Sequence, residues 1–322
     1  MKTPVLFIVF NRPDLTEKVF QRLAAAKPEQ LFLVSDGPRE GKKEDEKSCA
    51  EVKRILEKIT WDCEVHRNYS DKNLGCGIRV ASGISWVFEH VDRAIILEDD
   101  CLPDPSFFPF CDELLEKYKD DSRVMTVSGR NLQGNRLGVQ HSYYYSVYPG
   151  TWGWATWRRA WKMYDYHLQL WEGLKETDFP LRITGDEKTA TYMRHHFERT
   201  YRSDPPKDIQ ESDYTYTWDY QWVFNCWVQH GLSIIPKKNL ISNIGFGKKA
   251  THTKDENHEY AALPVSGMEF PLKHPPHKLI DRKADDLHFK MMSKKNNNIQ
   301  KRTPGIFSRI KNKLTCILRD EN

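Results

Sequence analysis

The stretch AIILEDD at residues 94–100 decides the fold class of this 322-residue chain. Ala94, Ile95, Ile96 and Leu97 form a short unbroken apolar run, the pattern of a strand buried on both faces of a parallel sheet. The run stops at Glu98, Asp99 and Asp100. Three adjacent carboxylates repel one another and need solvent, hydrogen-bond donors or a cation to offset them. Upstream, 4–10 (PVLFIVF) and 31–35 (LFLVS) read as two more buried strands, and 63–66 as a weaker one. Between them lie helical spacings: Leu15, Val19 and Leu23; Val52, Ile55, Leu56 and Ile59; Val80, Ile84, Val87 and Phe88. Strands alternating with helices predict an α/β fold, a mostly parallel sheet with helices on both faces. In such sheets ligands bind beyond the carboxyl ends of the strands. The residues just after each strand are therefore the candidates.

The second half is less regular. Residues 124–128 read as a strand, 217–230 as a helix and 233–236 as a short strand, while 143–161 is aromatic and Gly-rich. Apolar content falls from about Leu272, and 294–298 (KKNNN) reads as a linker. Beyond it, Ile306, Phe307, Ile310, Leu314, Ile317 and Leu318 form a helical stripe, with Arg309, Lys311, Lys313 and Arg319 around it. The chain divides on this pattern into 1–130, 131–270 and 271–322.

Composition narrows the function classes. With 49 basic against 45 acidic side chains, the net charge of +4 gives no reason to expect a nucleic-acid partner. Seven Cys without a CxxC pair fit reduced thiols better than a zinc site or a disulfide scaffold. The start lacks the apolar region of a signal peptide, and no run of 18 apolar residues occurs. A cytoplasmic protein is the expectation. The basic amphipathic tail fits peripheral contact with an anionic membrane surface; packing against protein is the alternative.

Glu98, Asp99 and Asp100 carry the sharpest chemical signal. A divalent cation on a diphosphate offsets such a cluster, because Mg²⁺ and Mn²⁺ prefer oxygen ligands. A solvated turn capped by Asp104 is the other reading. Arg12 after the first strand suits phosphate oxygens, or a surface pair with Asp14. Asp36 after the second suits a base or ribose hydroxyl, or simply starts a turn. The run Asn73-Leu74-Gly75-Cys76-Gly77-Ile78-Arg79 is a Gly-containing helix entry that can turn N–H groups toward phosphate, with Arg79 a donor-binding candidate; a simple helix start is the alternative. Asp219, between Trp218 and Tyr220, is a candidate general base; an ordinary helix start with Trp218 and Trp222 in the core is the alternative. Lys248 and His252 lie in a Gly/Lys-rich loop read as mobile, with Lys248 placed to clamp a diphosphate and His252 to ligate metal or phosphate.

In order along the chain, PVLFIVFNRPD, VSDG and NLGCGIRVASGISWVFEHVDRAIILEDDCLPDPSFFPF resemble the donor half of GT-A glycosyltransferases, nearest to the N-acetylglucosaminyltransferase I type. The likeness continues through Tyr148-Pro149-Gly150-Thr151-Trp152-Gly153-Trp154, Trp218-Asp219-Tyr220-Gln221-Trp222 and 236–252 (PKKNLISNIGFGKKATH), covering roughly residues 4–255. It implies a Rossmann-like GT-A sheet with an acceptor-side subregion, Asp100 as the Mn²⁺ (or Mg²⁺) ligand and Asp219 as the base. It also implies that Glu98, Asp99, Arg12, Asp36, Arg79 and Lys248 serve the nucleotide sugar. The region 1–130 then binds donor, 131–270 binds acceptor and carries catalysis, and 271–322 is linker and tail. Two departures stand out. Asp36-Gly37 replaces a Gln-Asp pair, and Tyr220 replaces the family's second Asp. The lack of an N-terminal anchor suits a bacterial member. The implied activity is an inverting, metal-dependent transfer from a UDP-sugar to a saccharide or lipid-linked saccharide in surface polysaccharide or lipopolysaccharide synthesis. A sugar-1-phosphate nucleotidyltransferase competes, although that class carries a Gly-rich loop after the first strand, where Asn11-Arg12-Pro13 stands here. A non-catalytic nucleotide-sugar fold that binds a membrane or partner is the third reading.

Overall fold

The structure is a computed structural model that describes residues 1–134, 138–202, 217–247, 255 and 258–293. Its elements run β1 (Val5–Val9), α1 (Pro13–Ala26), β2 (Gln30–Ser35), α2 (Lys43–Leu56), β3 (Glu64–Tyr69), α3 (Gly75–His90), β4 (Arg93–Glu98), β5 (Cys101–Pro103), α4 (Phe107–Lys117) and β6 (Val124–Ser128). Then come β7 (Tyr143–Ser146), β8 (Trp154–Trp157), α5 (Arg158–Trp161), α6 (Trp171–Leu174), α7 (Phe179–Thr184), α8 (Glu187–Arg202), α9 (Asp219–Val228), β9 (Leu232–Pro236), β10 (Ile241–Asn243) and α10 (Arg282–Ser293). Two compact units result, Met1–Asp281 and Arg282–Asn322. Lys248, His252 and the tail helix expected within 304–318 lie outside the described residues.

The main sheet has eight strands in the order β3-β2-β1-β4-β8-β6-β9-β7. β1 to β4 are mutually parallel, and β8 pairs antiparallel with both β4 and β6. β9 is parallel to β6, and β7 antiparallel to β9. Six of the eight strands therefore point the same way, which makes the mixed, mostly parallel α/β sheet expected from the sequence. It runs across residue 130, taking strands from both sides.

Alternation along the strands explains the two layers. Val5, Phe7 and Val9 face one side, with Leu31, Leu33, Ile95 and Leu97, against α1, α2 and α4. Leu6 and Ile8 face the other, with Phe32, Val34, Ala94 and Ile96, against α3, α5 and α9. Every residue of β1 is buried, as a strand covered on both faces requires. α1 follows the same logic, with Pro13 in its first turn and Thr16, Val19, Phe20 and Leu23 buried at helical spacing. Each large apolar side chain so enclosed contributes roughly 1.5–3 kcal/mol.

Tryptophans fill much of the second layer. Trp154 stacks on Trp218 at 5.6 Å, and Trp222 lies 5.2 Å from Trp161. Trp218 and Trp222 are buried, part of the core beneath the start of α9. A third cluster joins Trp171, Ile183, Met193 and Phe197 from α6, α7 and α8 to Phe224 and Trp227 of α9. α9 is thus apolar on two sides. Running from its start toward β9, it is antiparallel to the neighbouring strands and brings Asp219 to their carboxyl edge. Among the described residues, no helix is long and apolar enough to cross a membrane.

Candidate active site at the carboxyl edge

Four chain segments meet at this edge: the ends of β1, β4 and β6, and the start of α9. Arg12, one helix step beyond β1, reaches across to the acid triplet. Its Nη1 donates to Asp100 Oδ2 at 3.0 Å and its Nη2 to Asp99 Oδ1. The surface pair with Asp14 does not form. Burial works against the guanidinium charge, and Asp99, Asp100 and Glu98 overcome it, so its pKa lies above the ordinary value. Removing one partner from a buried ion pair typically costs about 3–5 kcal/mol, because the other charge is left uncompensated. Arg12 is therefore structural cement for the triplet as well as a potential phosphate contact.

The three carboxylates differ. Asp99 is buried and also accepts the Phe10 backbone N–H; burial pushes its carboxyl up to about 6 against the pull of Arg12. Burial and the adjacent Asp100 and Asp99 push Glu98 up to about 8. Asp219 adds to that upward push on Glu98, which registers how close the start of α9 lies to the triplet. Cys76, in the first turn of α3, senses the whole group. Burial chiefly raises its thiol pKa, and Glu98, Asp219 and Asp100 add to the rise.

Asp100 keeps one oxygen lightly committed. Oδ2 takes Arg12, and the weak Cys101 Sγ donor sits 3.5 Å from Oδ1. Among the described residues, no group of three or more His, Cys, Asp or Glu side chains could hold a metal. The donor set fits a different kind of site, in which one carboxylate anchors Mg²⁺ or Mn²⁺ and substrate phosphates and water supply the remaining oxygens. Space around Asp100 is shaped by the strand pair β10–β5. Asn243 pairs with Cys101, and the Ile244 N–H donates to the Asp100 carbonyl at 2.9 Å. The next residue is Gly245, where a Cβ would sit 2.2 Å from Asp100 Oδ2 and 2.6 Å from its Cβ. If Asp100 anchors a cation on a nucleotide donor, Gly245→Ala is expected to push its side chain aside, weaken that binding about tenfold and, by loosening the pair with Arg12, lower the unfolding temperature. Titration of the variant with UDP and Mn²⁺ checks this; wild-type affinity would show that Asp100 need not hold its position.

Asp219 is anchored by one oxygen only. Thr217 Oγ1 and the Tyr220 N–H, the latter at 3.0 Å, both donate to Oδ1. Among the described residues, no hydrogen bond reaches Oδ2. A fixed carboxylate with one open oxygen is what a proton acceptor requires.

Two other candidates are occupied within the chain. Asp36 accepts four hydrogen bonds, from the N–H groups of Gly37, Leu74 and Gly75 and from Asn73 Nδ2, at 2.9–3.1 Å. Those donors fill both oxygens, and the carboxylate clasps the entry to α3, where negative charge is favourable. Arg79 donates to the carbonyls of Ser35 and Asn68 and to Asn68 Oδ1, tying together the ends of β2 and β3. A neighbouring pair was not singled out from the sequence: Asp45 takes a double hydrogen bond from Arg39 and one from Asn11, and Arg39 chiefly holds its carboxyl at about 2. This ties the loop after β2 to the loop after β1.

No protein-family model matches the chain, and no curated protein matches it. Among solved structures it is similar to galactosyltransferase LgtC in complex with donor and acceptor sugar analogues, with 11% identity, a TM-score of 0.37, and coverage of 90% of this chain and 95% of that one. It is also similar to TarS of S. aureus, with 9% identity, a TM-score of 0.38, and coverage of 75% and 60%. A third is a UDP-glucose pyrophosphorylase complexed with UDP-glucose, with 13% identity, a TM-score of 0.25, and coverage of 46% and 63%. The chain thus spans less than two thirds of the pyrophosphorylase and of TarS. Likenesses this distant do not reach to substrate or activity.

Proposed function

We propose that the protein is a GT-A glycosyltransferase, which transfers a sugar from a nucleoside-diphosphate donor, with UDP the first candidate, to a saccharide acceptor. The observation that carries the reading is the meeting of the Glu98-Asp99-Asp100 triplet, Arg12 and Asp219 on one carboxyl edge of a mostly parallel sheet. That edge is where such sheets bind ligands. A non-catalytic fold has no need of a second, isolated carboxylate with an open oxygen beside the first cluster.

In this reading Asp100 would hold Mn²⁺ or Mg²⁺, which would supply charge to offset what builds on the diphosphate. Arg12 fixes the orientation of Asp100 and Asp99. Asp219 Oδ2 takes the proton from the acceptor hydroxyl while the sugar is attacked from the opposite face, giving inversion. The work of Arg12 and Asp99 is to hold Asp100; that of Asp36 and Arg79 is to hold the strand ends and helix start around the donor. Lys248 and His252, beyond Gly247, remain candidates for the diphosphate and the metal. A lipid-linked acceptor and an anionic membrane surface for the basic tail belong to the same reading, as does synthesis of a surface polysaccharide in the cytoplasm.

The direct test is donor hydrolysis. UDP-glucose and UDP-N-acetylglucosamine are incubated with the protein, with Mn²⁺ or with EDTA, and released UDP is measured beside the unfolding temperature. The expectation is slow UDP release and a stability increase with at least one donor, both lost in EDTA, since a ligand of the folded state must stabilise it. Pyrophosphate formation from a nucleoside triphosphate and a sugar 1-phosphate, without such release, would favour the nucleotidyltransferase reading instead.

A further inference from the structure

The rule that picks Arg12 and Asp36, the polar residue just past a parallel strand, also picks Arg130, two residues beyond β6. Its surroundings differ from those of every other arginine at the edge. Arg12 has two carboxylates, Arg39 has Asp45, and Arg79 has strand carbonyls. Among the described residues, the guanidinium of Arg130 has no ion pair and no hydrogen bond. It lies over the ring of Trp152, 4.8 Å from its centroid. β8 runs opposite to β6, with Trp154 paired to Ser128, so Trp152, just before β8, and Arg130, just after β6, come together at the carboxyl edge.

The chain makes room for this arrangement. A Cβ on Gly150 would lie 2.3 Å from Ser128 Oγ and 3.5 Å from Arg130 Nε. The Pro149-Gly150-Thr151-Trp152 run therefore brings backbone close to the Arg130 side chain and supplies the ring beneath it. A cation–π contact orients a guanidinium but satisfies none of its five N–H donors. Burial lowers the Arg130 pKa to about 10, and Asp219 is the largest influence in the other direction. A partly buried cation with unused donors is costly to keep, so a complementary anion is the natural partner.

We propose that Arg130, held over the Trp152 ring, binds an oxyanion of the substrate, a phosphate or carboxylate group that reaches the site during sugar transfer. Two sources carry that chemistry: the diphosphate of the donor, and an acidic group on the acceptor. The proposal rests on the glycosyltransferase reading for the identity of the ligand, though not for the presence of the anion site. The planar guanidinium can meet either group with two parallel hydrogen bonds.

The full chain and its Arg130→Gln and Arg130→Lys variants are compared by calorimetric titration with UDP in Mn²⁺, and by thermal shift with inorganic phosphate, alone and with UDP and Mn²⁺ saturating. Unliganded unfolding temperatures close to wild type are expected, because the cation–π contact with Trp152 is the one contact of the guanidinium that is lost among the described residues; if the Gln variant is destabilised, the Lys variant carries the comparison. With a donor-derived anion, UDP affinity falls about tenfold or more in Arg130→Gln and less in Arg130→Lys. With an acceptor-derived anion, UDP affinity is unchanged, while phosphate stabilises the UDP-bound wild type and not the Gln variant. Equal UDP affinity together with equal phosphate response in all three proteins would overturn the proposal. Failure of the wild type to bind UDP at all would sink the glycosyltransferase reading instead, and the response to phosphate alone would still decide whether Arg130 is an anion site.

Discussion

Asp219→Asn is expected to bind donor as tightly as the wild type and to transfer sugar about 10²–10⁴-fold more slowly, the range by which a positioned base accelerates proton transfer. The substitution is nearly isosteric. The hydrogen bonds from Thr217 and Tyr220 go to Oδ1 alone, and an amide carbonyl oxygen accepts both. α9 then starts as before, and Trp222 and Phe224 stay in their clusters, so the unfolding temperature should hold. What changes is the second atom of the head group, which becomes an NH₂ that cannot take a proton. The loss therefore belongs in kcat and not in donor affinity. Steady-state kinetics alongside UDP titration separates the two. A variant with near-normal kcat would remove Asp219 from the chemistry and leave it as an N-terminal helix residue.

The sequence announced the site through strands and hid it through tertiary contacts. AIIL before three acids reads as a buried strand that ends at the carboxyl edge, as β4 does, and β1 and β2 carry the same signal. Position within the sheet is another matter. β8 has only four residues and inserts antiparallel between β4 and β6, and no local pattern encodes which neighbours a strand finds. α8 did carry a signal, with Ala190, Met193 and Phe197 buried at helical spacing, but it is diluted by eleven polar or charged neighbours such as Arg194, His195 and Glu198. α6 and α7 are too short for periodicity to register. Among the candidate residues, type alone does not fix the partners of Asp36 and Arg79. A carboxylate and a guanidinium after a strand are equally suited to a ligand and to the chain's own N–H and C=O groups, and here the backbone claims both. Arg130 shows the converse. It stood unremarked as a single arginine, and only the arrival of Trp152 from a distant strand, with no carboxylate alongside, sets it apart.

Asp100→Ala is expected to abolish metal-dependent donor binding and to lower turnover on the order of 10³-fold, the scale of the several kcal/mol that a cation contributes to a developing diphosphate charge. Two features single out this acid. Asp99 is buried and committed to Arg12 and to the Phe10 N–H, so its loss would first damage the fold. Glu98 is the last residue of β4 and is held toward its neutral form by burial and by the neighbouring acids. Asp100 lies beyond the strand, outside the main sheet, with one oxygen facing only a weak thiol donor. Its removal also relieves repulsion within the triplet while Arg12 keeps Asp99 as its partner. The unliganded variant should accordingly unfold at the wild-type temperature or slightly above it. That combination, an intact or firmer fold with no response to Mn²⁺, distinguishes loss of a ligand from loss of structure. Thermal shifts with UDP across a Mn²⁺ titration, run beside the turnover assay, provide both readouts. If Asp100→Ala retained the wild-type Mn²⁺ dependence, the cation would have to be held elsewhere, and His252 with the Lys248 loop would become the place to look.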